Sequence, residues 1–110
     1  MPLCMIRAIV RPERIDDVLD SLLNAGFPAV TKMDVFGRGK QGGVKIGETF
    51  YDELPKELFF TVVEEKDKDF VVQTIVKAAK TVPGGAFGDG KIFVSPIEES
   101  WTVSSGTKGL

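Results

Sequence analysis

No histidine occurs in this chain of 110 residues, and it holds only one cysteine, one tryptophan and one tyrosine. Each shortage removes a class of protein. Without imidazole there is no ordinary general base and no typical zinc ligand. A lone Cys4 closes no internal disulfide. It stands in an apolar run, which reads as a buried free thiol and not a nucleophile. Lys and Arg number 14 against 16 Asp and Glu, for a formal charge of −2. The basic surplus of a general nucleic-acid binder is therefore missing. No apolar run approaches the roughly 20 residues that cross a bilayer, and no leader segment is recognisable. The expectation is a soluble, cytoplasmic protein with no nucleic-acid or membrane partner.

What remains is 43% hydrophobic and 27% charged, in keeping with one domain over residues 1–110. In Leu3–Arg11, Cys4, Ile6, Ala8 and Val10 alternate with Met5, Arg7 and Ile9, a strand pattern with one apolar and one mixed face. Pro12 suits the first position of a helix whose inward stripe is Ile15, Val18, Leu19, Leu22 and Leu23. Gly26 closes that helix in a left-handed cap. Phe27–Gly37 reads as a second strand and Glu57–Glu65 as a third. Residues 67–80 form a second helix with Val71, Val72, Ile75, Ala78 and Ala79 inward. Lys91–Ser95 is a fourth strand, and Ser100–Ser105 a candidate fifth. The order strand, helix, strand, strand, helix, strand gives an α+β, ferredoxin-like βαββαβ domain with an antiparallel sheet and both helices on one face. Its other face, left bare and half apolar, asks for a partner, most simply further copies of the chain.

Two glycine-rich stretches carry the chemistry. Gly37-Arg38-Gly39-Lys40-Gln41-Gly42 matches the dinucleotide fingerprint letter for letter. That fingerprint works by opening a helix toward a pyrophosphate, and no helical stripe follows here before Pro55. Gly85 to Lys91 satisfies most of a P-loop, but Ile92 stands where the hydroxyl should be, and the loop leads into a strand. Neither motif holds as named. What survives is a pair of loops offering free backbone N–H groups beside Lys40 and Lys91, a cradle for a polyphosphate if the two meet. Lys91 also has a plainer reading, as a solvated charge at the edge of a tight turn.

The stretch GDGKIFVSPIEE, Gly88–Glu99, resembles the C-terminal signature of the PII nitrogen-signalling family. Residues 5–31 and the LPKE of Leu54–Glu57 are similar to PII as well, so the resemblance covers nearly the whole chain. TKMDVFGRGKQGG and the ending GTKGL look most like the PII-like proteins encoded with nitrogenase in archaea and some bacteria. The resemblance implies a homotrimer that binds ATP or ADP between subunits and senses 2-oxoglutarate there. A flexible T-loop, at about 38–56, would report the ligand state to partners. These would be a second PII-like protein and the dinitrogenase component of nitrogenase. It assigns Gly37, Gly39, Lys40 and Gln41 to one phosphate edge and Gly88, Asp89, Gly90 and Lys91 to the other. Thr31 and Val62 fall where the family holds adenine, and Phe87 would pack on the nucleotide. Gln41 would ligate Mg²⁺ along with ATP and 2-oxoglutarate, and Lys56 would pair with a carboxylate of 2-oxoglutarate.

The sequence departs from the family pattern in its tail, where Thr102 and Ser104 replace arginines. Gly42 replaces the lysine after the glutamine, and Tyr51 is offset from the position that some relatives uridylylate. Two alternatives stay open: a PII-like fold that binds proteins without nucleotide, and a small phosphate-handling enzyme of the acylphosphatase type. No catalytic constellation is recognisable for the second.

Overall fold

The structure is a computed structural model, and it describes residues 2–38, 42, 44–51 and 53–110. In chain order its elements are β1 (Leu3–Val10), a short 3-10 turn at Pro12–Arg14, α1 (Ile15–Asn24), β2 (Thr31–Gly37), β3 (Val44–Ile46), β4 (Thr49–Tyr51), β5 (Leu54–Glu64), α2 (Lys68–Ala79), β6 (Gly90–Ile97), β7 (Trp101–Thr102) and β8 (Thr107–Lys108). Four strands form the main sheet in the order β2-β5-β1-β6, every neighbouring pair antiparallel. With α1 and α2 packed against one face, this is the α+β ferredoxin-like arrangement.

The alternation read in β1 is the core's foundation. Cys4, Ile6, Ala8 and Val10 are buried against Val18 and Leu22 of α1 and Val71 and Ile75 of α2, with Phe59 of β5 at the centre. Thr61 is the one buried polar side chain among the described residues, and its hydroxyl donates to the Ala29 carbonyl at 2.9 Å. At the far end of α2, the Arg14 guanidinium donates twice to the Ala78 carbonyl, at 3.0 and 2.6 Å. That satisfies an oxygen the helix terminus leaves free.

Several boundaries differ from the sequence reading. Strand β2 starts at Thr31, not Phe27, because the Phe27 N–H is spent on the Leu22 carbonyl in the cap of α1 (2.8 Å) and Pro28 has no N–H to give. Leu23 is not inward: it lies a helical step past Leu22 and is 57% exposed. The loop expected over 38–56 gives way to β5 at Leu54, so Lys56 is a strand residue paired with Val35. Within that segment β3 and β4 form a two-stranded hairpin with rungs Val44↔Tyr51, Lys45↔Phe50 and Ile46↔Thr49. The candidate fifth strand does not join the main sheet. Trp101 and Thr102 pair with Lys108 and Thr107 in a small hairpin of their own. Its indole donates to Glu99 at 2.9 Å, and the Lys108 ammonium lies 5.6 Å from the ring centre. The sheet face away from the helices carries Met5, Arg7 and Ile9 beside Leu58, Phe60 and Val62, with Phe93 half exposed.

Candidate ligand site at one end of the sheet

Antiparallel register decides which chain ends meet. Val10 pairs with both Glu57 and Gly90, so the next rung outward brings together Arg11, Lys56 and Asp89. The turn before β6 is built on this rung. Gly90 opens the strand at φ +136, with its Cα pressed against β1. A Cβ there would fall 2.0 Å from the Ile9 carbonyl oxygen, so no side chain fits.

Asp89 is the hub of the turn. Its carboxylate accepts from the Thr81 hydroxyl at 2.7 Å, the Ala86 N–H at 2.8 Å, the Arg11 Nε at 3.1 Å and the Thr81 N–H at 3.4 Å. Burial by itself would raise its pKa, but the bonds from Thr81, Ala86 and Arg11 outweigh that and hold the carboxyl at about 2. Asp89 therefore shapes the turn, and its oxygens are already engaged.

Two cations converge on the same turn. Arg11 Nη2 donates to the Phe87 carbonyl at 2.7 Å, and Lys56 Nζ to the Gly88 carbonyl at 2.6 Å. A Cβ placed on Gly88 would sit 3.1 Å from Arg11 Nη2 and 3.6 Å from Lys56 Nζ, so both charges end over this glycine. Burial first, and then the neighbouring Arg11 charge, lower the Lys56 pKa. Asp89 at 3.1 Å and Glu13 at 3.8 Å offset part of the Arg11 charge, while Lys56 meets only the Gly88 carbonyl among the bonds of the described residues, so the pair is suited to a further anion. Phe87, whose carbonyl Arg11 holds, is 92% exposed.

The structure thus joins Lys56, Phe87, Gly88 and Asp89 in one cluster, and Gly37, the last residue of β2, lies at the same end of the sheet. Lys91 is exposed on β6, opposite Ile9. Thr31 pairs with Phe60, so it shares the open sheet face with Val62 on a diagonal. Four residues separate that rung from Lys56, about 13 Å along the strand. Gly39, Lys40 and Gln41 lie outside the described residues. Sequence reasoning missed Arg11 and Thr81. An arginine before a proline at a strand end carries no pattern that separates it from a solvated charge.

Among the described residues no group of three or more His, Cys, Asp or Glu side chains is placed to hold a metal ion. No helix of the described residues is long and apolar enough to cross a membrane. A small antiparallel α+β domain of this kind serves many functions, so the fold and the cations over the glycine turn name no class by themselves. Comparison with known proteins makes the assignment specific. The model of the family Nitrogen regulatory protein P-II matches residues 3–107, and the chain belongs to this family of regulatory signalling proteins. It is 54% identical over 106 residues to the "Nitrogen fixation nifHD region GlnB-like protein 1" of Methanothermococcus thermolithotrophicus, covering 96% of this chain and 98% of that one. It is 42% identical over 108 residues to the "Nitrogen regulatory protein P-II 2" of Methanothermobacter thermautotrophicus, covering 94% and 91%. Among solved structures, that of Arabidopsis thaliana PII bound to citrate superposes with a TM-score of 0.78 at 34% identity, over 97% of this chain and 85% of that chain.

Proposed function

We propose that this protein is a trimeric sensor of ATP or ADP and 2-oxoglutarate that regulates nitrogen fixation by binding other proteins in the cytoplasm. Its nitrogen-regulatory class follows from the family. The finer reading rests on one observation: Arg11 and Lys56 end together over Gly88, each within hydrogen-bond reach of a carbonyl of the turn. A dicarboxylate entering there exchanges two neutral acceptors for charged ones, and charge-assisted bonds are about twice as strong. That a structurally similar PII protein binds citrate, a carboxylate, supports this choice of ligand.

The nucleotide is assigned to the rest of the site. Its phosphates take the backbone and lysine of Gly88–Lys91 and the Gly37–Gln41 edge, its adenine the Thr31 and Val62 patch, and Phe87 packs on it. The described residues offer no acidic cage for magnesium. The ion would arrive with the triphosphate, and Gln41 would be the chain's own ligand to it. The bare sheet face carrying Met5, Ile9, Phe60 and Phe93 is assigned to the trimer's interior. The hairpin of β3 and β4 is assigned to the T-loop, facing a second PII-like protein or the dinitrogenase component of nitrogenase.

Calorimetry with Mg-ATP, with and without 2-oxoglutarate, tests the proposal directly. ATP and 2-oxoglutarate should each tighten the other's binding by the same factor. Absence of nucleotide binding under any condition would favour the protein-binding fold without effectors, which the neutral Thr102 and Ser104 suggest.

A further inference from the structure

Asp34 of β2 and Glu57 of β5 are direct partners across the sheet, so their side chains leave it on the same side, toward the helices. On its other flank Glu57 pairs with Val10, which is apolar and buried. The Glu57 Oε2 atom is sealed from water and has no hydrogen-bond donor among the described residues. The charged groups facing Glu57 are Asp34 and Lys32 on β2 and Asp16 on α1, and β1 contributes none there. Two acids and one lysine do not balance a third acid whose oxygen is buried, and like charges placed directly opposite each other push strands apart. A buried acceptor without a donor is costly. The present side chains can supply one in a simple way, as a proton held between the two carboxyls.

We propose that Asp34 and Glu57 share a single proton and that this acid pair is a pH-operated pin on the β2–β5 pairing. With the proton present, one carboxyl donates to the other and the rung is held. When it leaves, two carboxylates face each other, Asp16 adds to the repulsion and Lys32 offsets part of it. The hydrogen bond with Asp34, and burial after it, hold the Glu57 carboxyl above its ordinary range. The pin therefore holds at low pH and releases as pH rises through that raised value.

Its place in the fold gives the release an outlet. The next rung is Val35↔Lys56, whose side chains leave by the opposite face, followed by Phe36↔Pro55 and Gly37↔Leu54. Beyond these, β2 and β5 run into the segment that carries the β3–β4 hairpin. Lys56 reaches the Gly88 carbonyl from this rung. Loss of one proton behind the sheet thus loosens the base of the hairpin and the seat of Lys56 together. The device stands whatever ligand the site takes.

The test is a carbon-detected NMR titration of the side-chain carboxyls in the full, ligand-free chain, with hydrogen exchange at the amides of Val35 and Lys56. Asp34 and Glu57 should titrate as a coupled pair with two shared midpoints, the upper one above 4.5, the ordinary value for Glu57. Exchange at Val35 and Lys56 should rise roughly tenfold above its intrinsic pH dependence across the upper midpoint. Asp34→Asn and, separately, Glu57→Gln should abolish the coupling and the extra exchange. If the two carboxyls titrate independently in the wild type, the shared proton is refuted without any variant. If the extra exchange persists in Asp34→Asn, the pair is not the pin.

Discussion

Two glycine-containing excursions leave the same end of the sheet, and they are built in opposite ways. The turn before β6 is tied to the body by side chains from afar: Arg11 and Lys56 hold its carbonyls, and Asp89 gathers Arg11, Thr81 and Ala86. The β3–β4 hairpin is held by its own rungs. Among the described residues no side-chain hydrogen bond ties it to the domain, and Ile46 and Phe50 are about 60% exposed. A part that must hold a ligand gains from a fixed shape, since ordering costs are met on folding and not on binding. A part that must meet partners gains from loose attachment, since its conformation can then be chosen by whatever it touches.

The largest break in this contrast should come from Gly90→Ala. The added methyl meets the Ile9 backbone and the residue keeps a positive φ, so the turn and the β1–β6 pairing cannot both survive. A loss of about 3 kcal/mol or more is expected, read as a fall in the denaturation midpoint. A midpoint close to wild type would show that the close approach is not structural.

Next is Asp89→Asn, which keeps the shape of the side chain but loses its charge. Stability should fall by about 2 kcal/mol through weakened bonds to Arg11 and Thr81. The pH dependence follows from the sign of the shift. The folded-state pKa of Asp89 lies at about 2, below its ordinary 3.8, so its contribution is full above 3.8 and is lost as pH falls toward 2. Acid titration of the unfolding midpoint should show this limb in the wild type and lose it in the variant.

Ligand binding sharpens the comparison from the other side. Lys56→Ala should abolish 2-oxoglutarate binding and largely spare ATP, and Lys91→Ala should weaken ATP and ADP about tenfold to a hundredfold. Lys68→Ala, on α2, is the control and should change neither. Calorimetry on the three variants separates these outcomes, and equal nucleotide affinity in wild type and Lys91→Ala would remove the phosphate role. The smallest effect belongs to the hairpin. Phe50→Ala should shift stability by less than about 0.5 kcal/mol, because little is buried there. A larger loss would mean that the hairpin packs on the domain in solution.

The scaffold was legible where one physical signal dominated. Strict alternation in β1 and the helical stripes of α1 and α2 report burial directly, and the burial is there: Cys4, Ile6, Ala8, Val18 and Ile75 are all in the core. Boundaries blurred where two signals competed. Pro55 reads as a strand breaker, yet it lies in β5 opposite Phe36, two residues before β5 begins to pair with β1. The hairpin was hidden because three-residue strands carry too few alternations to register. In the candidate site, the glycines of the turn stood out in the sequence itself, and Lys56 only through family resemblance. Arg11 and Thr81 did not, since their roles exist only after the chain closes. Arg11 and Asp89 are 78 residues apart, and register in the sheet joins them.

The tail hairpin holds the chain's only tryptophan, Trp101, between Glu99 and Lys108. Any tryptophan emission from this protein thus originates at one address, on the segment that carries Thr102 and Ser104. The indole is more than half exposed, and a charged neighbour sits over its ring. Colour and quenching of that emission therefore follow the tail while staying blind to the core. The molecule carries its own optical gauge, with no dye to attach, for whether this arginine-less tail moves when the distant turn is filled.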